Sequence, residues 1–433
     1  MSVTSTSLRI ADQVADMAGI LRRPLLAEEL IARAQRQSGL TDFGDTSFIE
    51  PLRRFLDACQ APEADLSLIG RMATKWDVVR FLSNLLRFQA EETRRPEIAA
   101  ERIERPIFIT GLPRSGTTFL HRLMMTDSDN RAPLVWETIF PWPNGSRRDD
   151  RAARVARQLK TFEWLAPEFP ALHPLDATSP QECSEITAHV FRSLRFDTNY
   201  HVPAYRHWLD ADARRHLPGY QFHRRFLRHL QYQDGECQDR TTKRWVLKCP
   251  EHVFALRAIR TVYPDARLIF VHRDPVKVLL SVAHLTEVLR RPFSRTLDPY
   301  LIGRDESARW LAGAERMMEA GDDAGPSESI CHVHHMDLIS DPVATVDSVY
   351  RHFGMTLPDS AETAIDRYVS ERPNGGYGPR HYEFADHGLD EATERERFRP
   401  YMLRFGIAAE GSPVHGRARP ALPARTPAPT AQT

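Results

Sequence analysis

From Leu8 to about Glu97, apolar residues return every three or four positions, the spacing that lays one face of an α-helix against a core. PLLAEELIARAQRQSG shows the period together with its punctuation: Pro24 suits a first helical turn and Gly39 suits a stop. SFIEPLRRFLDAC and WDVVRFLSNLLRFQAEE repeat the pattern, so residues 1–100 are expected to form a helical N-terminal subdomain. At Pro106 the texture changes. PIFITG is a short, β-rich apolar run ending in glycine, and TTFLHRLMM soon after it reads as a helix. WVLKC (Trp245 to Cys249) and RLIFVHR (Arg267 to Arg273) are two more such strands, each ahead of a helix-like stretch, and CHVHHMD before Leu338 reads as another. Between Asp149 and Arg240 the pattern is mostly helical, with loops near Pro167 to Pro180.

Buried-type strands alternating with helices predict an α/β fold over residues 101–410, with a mainly parallel sheet covered on both faces. Residues 411–433 are rich in Pro and Ala with almost no apolar bulk, and are expected to be a disordered tail.

Charge narrows the chemistry. Lys and Arg total 58, as do Asp and Glu, so there is no overall basic field for nucleic acid, and any anion site must be local. The five cysteines are scattered, with no CxxC pair and no metal-ligand spacing with histidine, so no metal is expected. The opening MSVTSTSLRIADQ lacks the pattern of a secretory leader, and no apolar run approaches a membrane span. The expectation is a cytoplasmic chain.

Gly111-Leu112-Pro113-Arg114-Ser115-Gly116-Thr117-Thr118 has the frame of a P-loop between a predicted strand and a predicted helix. Thr117 stands where a nucleotide triphosphatase carries lysine. N–H groups at the start of the helix after Gly116, with its positive dipole end, suit an anion, and Arg114, Ser115, Thr117 and Thr118 add donors.

PIFITGLPRSGTTFLHRLM resembles the 5'-phosphosulfate loop of sulfotransferases that use 3'-phosphoadenosine 5'-phosphosulfate (PAPS), the bacterial and tyrosyl-protein types above all. The family's 3'-phosphate motif sets an arginine at a strand end and a serine eight positions later on the next helix; RLIFVHRDPVKVLLSV supplies Arg273 and Ser281. The likeness runs from about Pro106 to Gly406, through WVLKCPEH, HMDLISDP and HYEFADHGLD. It implies a central parallel sheet of the P-loop nucleotide-kinase type, and in-line transfer of a sulfuryl group from PAPS to a hydroxyl or amine.

Such a transfer needs a base for the nucleophile's proton and donors for charge on the bridging and equatorial oxygens. Arg114 would contact the sulfonate and the leaving phosphate. Lys248, at a strand end and similar to a lysine of the tyrosyl-type members, would meet the bridging oxygen. Glu137 in Val-Trp-Glu follows the loop helix as the base does in tyrosyl-type and heparan-type members, and His173 competes because cytosolic members use histidine. His252 would orient the lysine loop, and Cys249 reads as a packed thiol. Arg380, in a Gly-rich stretch at 373–381 that departs from the cytosolic Arg-Lys-Gly form, is a further candidate for the 3'-phosphate.

Two other readings stand beside this one: a P-loop kinase or triphosphatase with Asp274 on magnesium, and a non-catalytic nucleotide-binding protein. His272-Arg273-Asp274 and Asp42-Phe43-Gly44 spell protein-kinase fragments in the wrong order. The acceptor, a small molecule or a peptide or glycan, would lie against Pro141 to Tyr232, with Trp142, Trp164, Phe169, Tyr200, Tyr205 and Trp208. Oligomeric state is left open.

Overall fold

The computed structural model describes residues 3–143, 149–237, 243–322, 330–372 and 383–410. Arg380 with its Gly-rich stretch, and the tail at 411–433, lie outside the described residues. The N-terminal periodicity forms helices at Val3–Met17, Ala27–Ser38, Ile49–Gln60 and Leu68–Arg94. Gly39 ends the second of these in the left-handed region, at φ 70°, as a C-terminal glycine should. Pro24 differs from expectation. The helix begins three residues later, with Leu26 extended at its N-cap, so Pro24 belongs to the approach rather than to the first turn.

The sheet holds β1 (Ile107–Gly111), β2 (Asn130–Arg131), β3 (Arg244–Lys248), β4 (Arg267–His272) and β5 (Ile330–His334), all parallel, in the order β2-β3-β1-β4-β5. The four longer strands match the apolar runs. The two-residue β2 was not anticipated, because so short a segment carries no period to read.

Successive side chains of a strand point to opposite faces. Phe108, Leu247, Leu268 and Phe270 therefore enter the larger core, whereas Ile107, Ile109, Val246, Ile269 and Val271 enter the smaller one. The smaller core is closed by the helices Thr117–Met124, Pro342–His352 and Asp359–Glu371. The larger includes Leu30, Phe55, Phe81 and Phe88 of the N-terminal helices, Phe226 of Leu217–Cys237 and Trp310 of Pro299–Asp322. The first hundred residues thus share one apolar core with the sheet. Among the described residues no helix is long and apolar enough to cross a membrane.

Candidate functional site

The central strand β1 has β3 on one side and β4 on the other, so the chain leaves it at the point where strand order reverses. Open α/β sheets form their ligand crevice there, beyond the carboxyl ends of the strands. The loop after β1 is held in uncommon backbone: Gly111 at φ 148°, Arg114 at φ 61° and Gly116 at φ 101°. A Cβ on Gly111 would come within 2.3 Å of the Val271 carbonyl oxygen on β4, and one on Gly116 within 2.9 Å of His335 Nδ1. Close approach explains the two glycines of the motif. The helix Thr117–Met124 follows at once. Ser115 Oγ is fully buried with no hydrogen-bond partner among the described residues, a donor left for an anion in the loop. The loop therefore fits a phosphate-type group.

The two halves of the motif meet directly. Arg114 Nε donates to Ser281 Oγ at 3.0 Å, and Arg273 Nη1 donates to the Arg114 carbonyl at 2.8 Å. Arg114 Nη1 also donates to the Leu172 carbonyl at 2.8 Å, tying the loop to the segment carrying His173. Asp274 is fully engaged: Oδ1 caps the helix Pro275–Arg290 through the Val276 N–H, and Oδ2 accepts from the Glu410 N–H at 2.8 Å and from Arg395. That engagement counts against a magnesium-holding role for Asp274.

Lys248 closes β3 and is 2 % exposed. Its ammonium donates to Thr118 Oγ1 at 3.1 Å and to the carboxylate of Glu182, which also accepts from Cys249 Sγ. Glu182 had no motif to announce it; in SPQECSE it is one of two glutamates. Burial pushes its carboxyl up, but Lys248 and then His173 outweigh this and hold it below the usual carboxylate range. Burial takes the His173 imidazole down to about 4, with Glu182 acting in the opposite direction. His173 and Glu182 both line the central cavity.

Glu137 is not brought to this group. Its Oε2 accepts from the Leu134 N–H at 2.8 Å, capping its own short helix Val135–Ile139, and its Oε1 pairs with Arg131 at 3.2 Å. Burial pushes its carboxyl up, and it lies outside the cavity lining. His252 is buried with Nδ1 against the Tyr220 hydroxyl, so its partner is a tyrosine rather than the lysine. Cys249 is a buried thiol pushed far up by desolvation.

One cavity of about 870 Å³ joins the loop to the N-terminal helices. Pro113 and Gly116 to Phe119 stand at one side and Trp76, Asp77 and Arg80 of the helix Leu68–Arg94 at another, with apolar walls that include Leu159, Phe162, Phe169, Leu285 and Phe293. Of the aromatic residues expected on the acceptor side, Phe169 and Tyr200 line it; Trp164 is exposed, and Trp142 packs against Phe88 and His229. Arg80 Nη2 bonds Asp77 at 2.8 Å and Glu185 at 2.7 Å, and the partly exposed Arg195 pairs with both acids, so the four charges cancel.

The profile of the sulfotransferase family matches residues 106–359. The chain is 27 % identical over 334 residues to the omega-hydroxy-beta-dihydromenaquinone-9 sulfotransferases Stf3 of Mycobacterium tuberculosis and Mycobacterium bovis, a match covering 73 % of this chain and 79 % of theirs. Its fold is similar to that of sulfotransferase STF1 from M. tuberculosis, with a TM-score of 0.74 and 32 % identity over 87 % of this chain and 99 % of that one. Sulfotransferase STF9 from Mycobacterium avium gives a TM-score of 0.78 and 25 % identity over 89 % and 98 % of the two chains. With more than half of its length matched to the family profile, and with loop, strand-end arginine and helix serine meeting beyond the carboxyl ends of β1 and β4, the chain belongs to the sulfotransferase family.

Proposed function

We propose that this enzyme transfers the sulfuryl group of PAPS to a hydroxyl of a largely apolar small molecule. The observation that carries the reading is the continuity of the anion loop with one apolar cavity, which accommodates a chain or ring system beside the reacting group. The Stf3 relatives are named for an omega-hydroxy-beta-dihydromenaquinone-9, which also carries a hydroxyl. A peptide or glycan acceptor matches these apolar walls less well.

PAPS supplies an activated sulfuryl group and leaves as the 3',5'-bisphosphate (PAP). The residues of this chain hold it and move the proton. The backbone of the loop, with Ser115, Thr117 and Thr118, binds the 5'-phosphosulfate, and Arg114 neutralises its oxygens. Arg273 and Ser281 take the 3'-phosphate, with Arg380 a further candidate for it. As the bridging S–O bond breaks and the acceptor's S–O bond forms, charge accumulates on the leaving phosphate. Lys248, buried under Glu182, supplies the compensating cation. His173 is neutral at pH 7 and accepts the acceptor's proton; Glu182 beside it stabilises the imidazolium that results.

Titration calorimetry with PAP, together with turnover of labelled PAPS on hydroxylated isoprenoids, sterols, sugars and peptides, tests the reading. We expect PAP to bind, Lys248→Ala to lower turnover strongly, and sulfuryl gain on the apolar hydroxyls. Preference for ATP over PAP would sink it in favour of a kinase, and PAP binding without turnover on any acceptor would favour a non-catalytic nucleotide-binding protein.

A further inference from the structure

Arg273, the strand-end arginine, has its fork filled by the protein itself. Nε and Nη2 donate to the two oxygens of Glu410 at 2.8 and 2.9 Å, and Nη1 serves the Arg114 carbonyl. Glu410 lies beyond the last helix, Arg399–Phe405, and is pinned through its main chain as well, by the N–H bond to Asp274. A carboxylate set side-on against a guanidinium offers the two-oxygen pattern that a phosphate offers.

The surroundings are those of an anion site. Burial pushes the Glu410 carboxyl up, but Arg273, and after it His335 and Lys277, outweigh this and hold it below the usual carboxylate range. These basic side chains come from the end of β4, from the helix Pro275–Arg290 and from the helix His335–Ser340. His335 also abuts the phosphate loop at Gly116. A dianionic phosphate set beside an ionised carboxylate on one partly buried cation meets strong repulsion, so the two anions exclude each other.

We propose that Glu410 holds the place of the nucleotide's 3'-phosphate: PAPS enters by displacing this carboxylate from Arg273, and Lys277 and His335 then serve the phosphate instead. The inference rests on the proposed PAPS site and adds to it a competitor, encoded 137 residues downstream of the arginine it occupies.

The test uses the full chain, unmodified and as Glu410→Gln and Glu410→Ala, titrated with PAP and with 5'-AMP, which lacks the 3'-phosphate. Removing the carboxylate should tighten PAP binding about tenfold, the scale of one charge-assisted interaction, and leave 5'-AMP affinity unchanged. PAP affinity that stays equal or weakens in both variants, with melting temperatures preserved, overturns the proposal and makes Glu410 a support of Arg273 instead. Hydrogen exchange on the unmodified chain gives a second reading should the variants fold poorly. PAP should accelerate exchange of the Glu410 amide as it leaves Asp274, whereas 5'-AMP should not; unchanged or slower exchange at saturating PAP overturns the idea. If the unmodified chain and both variants fail to bind PAP, the nucleotide reading itself fails and this one with it.

Discussion

Exchanging Glu137 for glutamine and, separately, His173 for alanine distinguishes the two candidate bases. The amide oxygen introduced by Glu137→Gln would still accept the Leu134 N–H, so the cap survives. What is lost is the ion pair with Arg131, which keeps a 2.9 Å bond to Asp234 and lies 4.4 Å over the Trp245 ring. Because burial already disfavours the Glu137 carboxylate, Glu137→Gln should change stability by no more than about 1 kcal/mol and kcat by less than about twofold. His173→Ala removes the group lining the cavity and should lower kcat by about 10² to 10⁴, or roughly 3–5 kcal/mol of barrier. Initial rates with labelled PAPS and a saturating acceptor measure both. The pH profile adds an independent check. A base must be deprotonated, and burial holds His173 down to about 4, so kcat should stay level near neutrality and fall only as the pH drops toward that value. A hundredfold loss in Glu137→Gln with the fold intact, beside near-normal turnover in His173→Ala, would refute the reasoning.

Three further outcomes are expected. Gly116→Ala forces a side chain into φ 101° and sets its Cβ 2.9 Å from His335 Nδ1, so at a strain of about 1–3 kcal/mol PAP affinity should fall while the circular dichroism spectrum is kept; unchanged affinity would contradict the role given to the loop. Asp77→Ala leaves Arg80 and Arg195 with Glu185 alone to balance them, and should cost about 3–5 kcal/mol in denaturant unfolding, an expectation that an unaltered midpoint would defeat. Glu92 and Glu287 should also make stability depend on acid. Burial raises the Glu92 carboxyl, but bonds from His229 and Arg225 outweigh it, and His387 and then Arg291 act on Glu287, so both are brought down to about 2. The unfolded chain, with carboxyls near their ordinary value, takes up protons first as the pH falls. Their contribution is therefore complete above about 4.5 and should be lost progressively toward pH 2, as a falling denaturation midpoint would report.

How much of this was legible beforehand follows from the range of each signal. The strand at Ile107–Gly111 and the loop after it are local: an apolar run, two glycines and an arginine lie within about ten residues, and sterics at Gly111 and Gly116 explain why glycine stands there. Ser281 could be paired with Arg273 because the motif of the resembled family sets a serine eight positions after a strand-end arginine, about two turns of helix. Glu182 was not legible, since its meaning comes from Lys248, 66 residues away, across a mainly helical stretch. Glu137 is the opposite case. Its position after the loop helix is where the resemblance sets a base, yet in this chain its carboxylate serves the first turn of its own helix, and sequence spacing does not reveal which way a side chain turns. Glu410 was hidden by distance as well, in the last described residue before a stretch that reads as tail.

The helix Leu68–Arg94 gives the cavity Ala73, Trp76, Asp77 and Arg80, and it lies wholly before residue 106, where the family profile begins. Part of the chamber's lining therefore comes from outside the stretch that the profile matches, whereas Leu159, Phe162, Phe169, Leu285 and Phe293 come from within it. That outlying contribution can change without touching the anion loop, and chimeras that swap only this helix between relatives should shift acceptor preference while leaving PAP affinity unchanged.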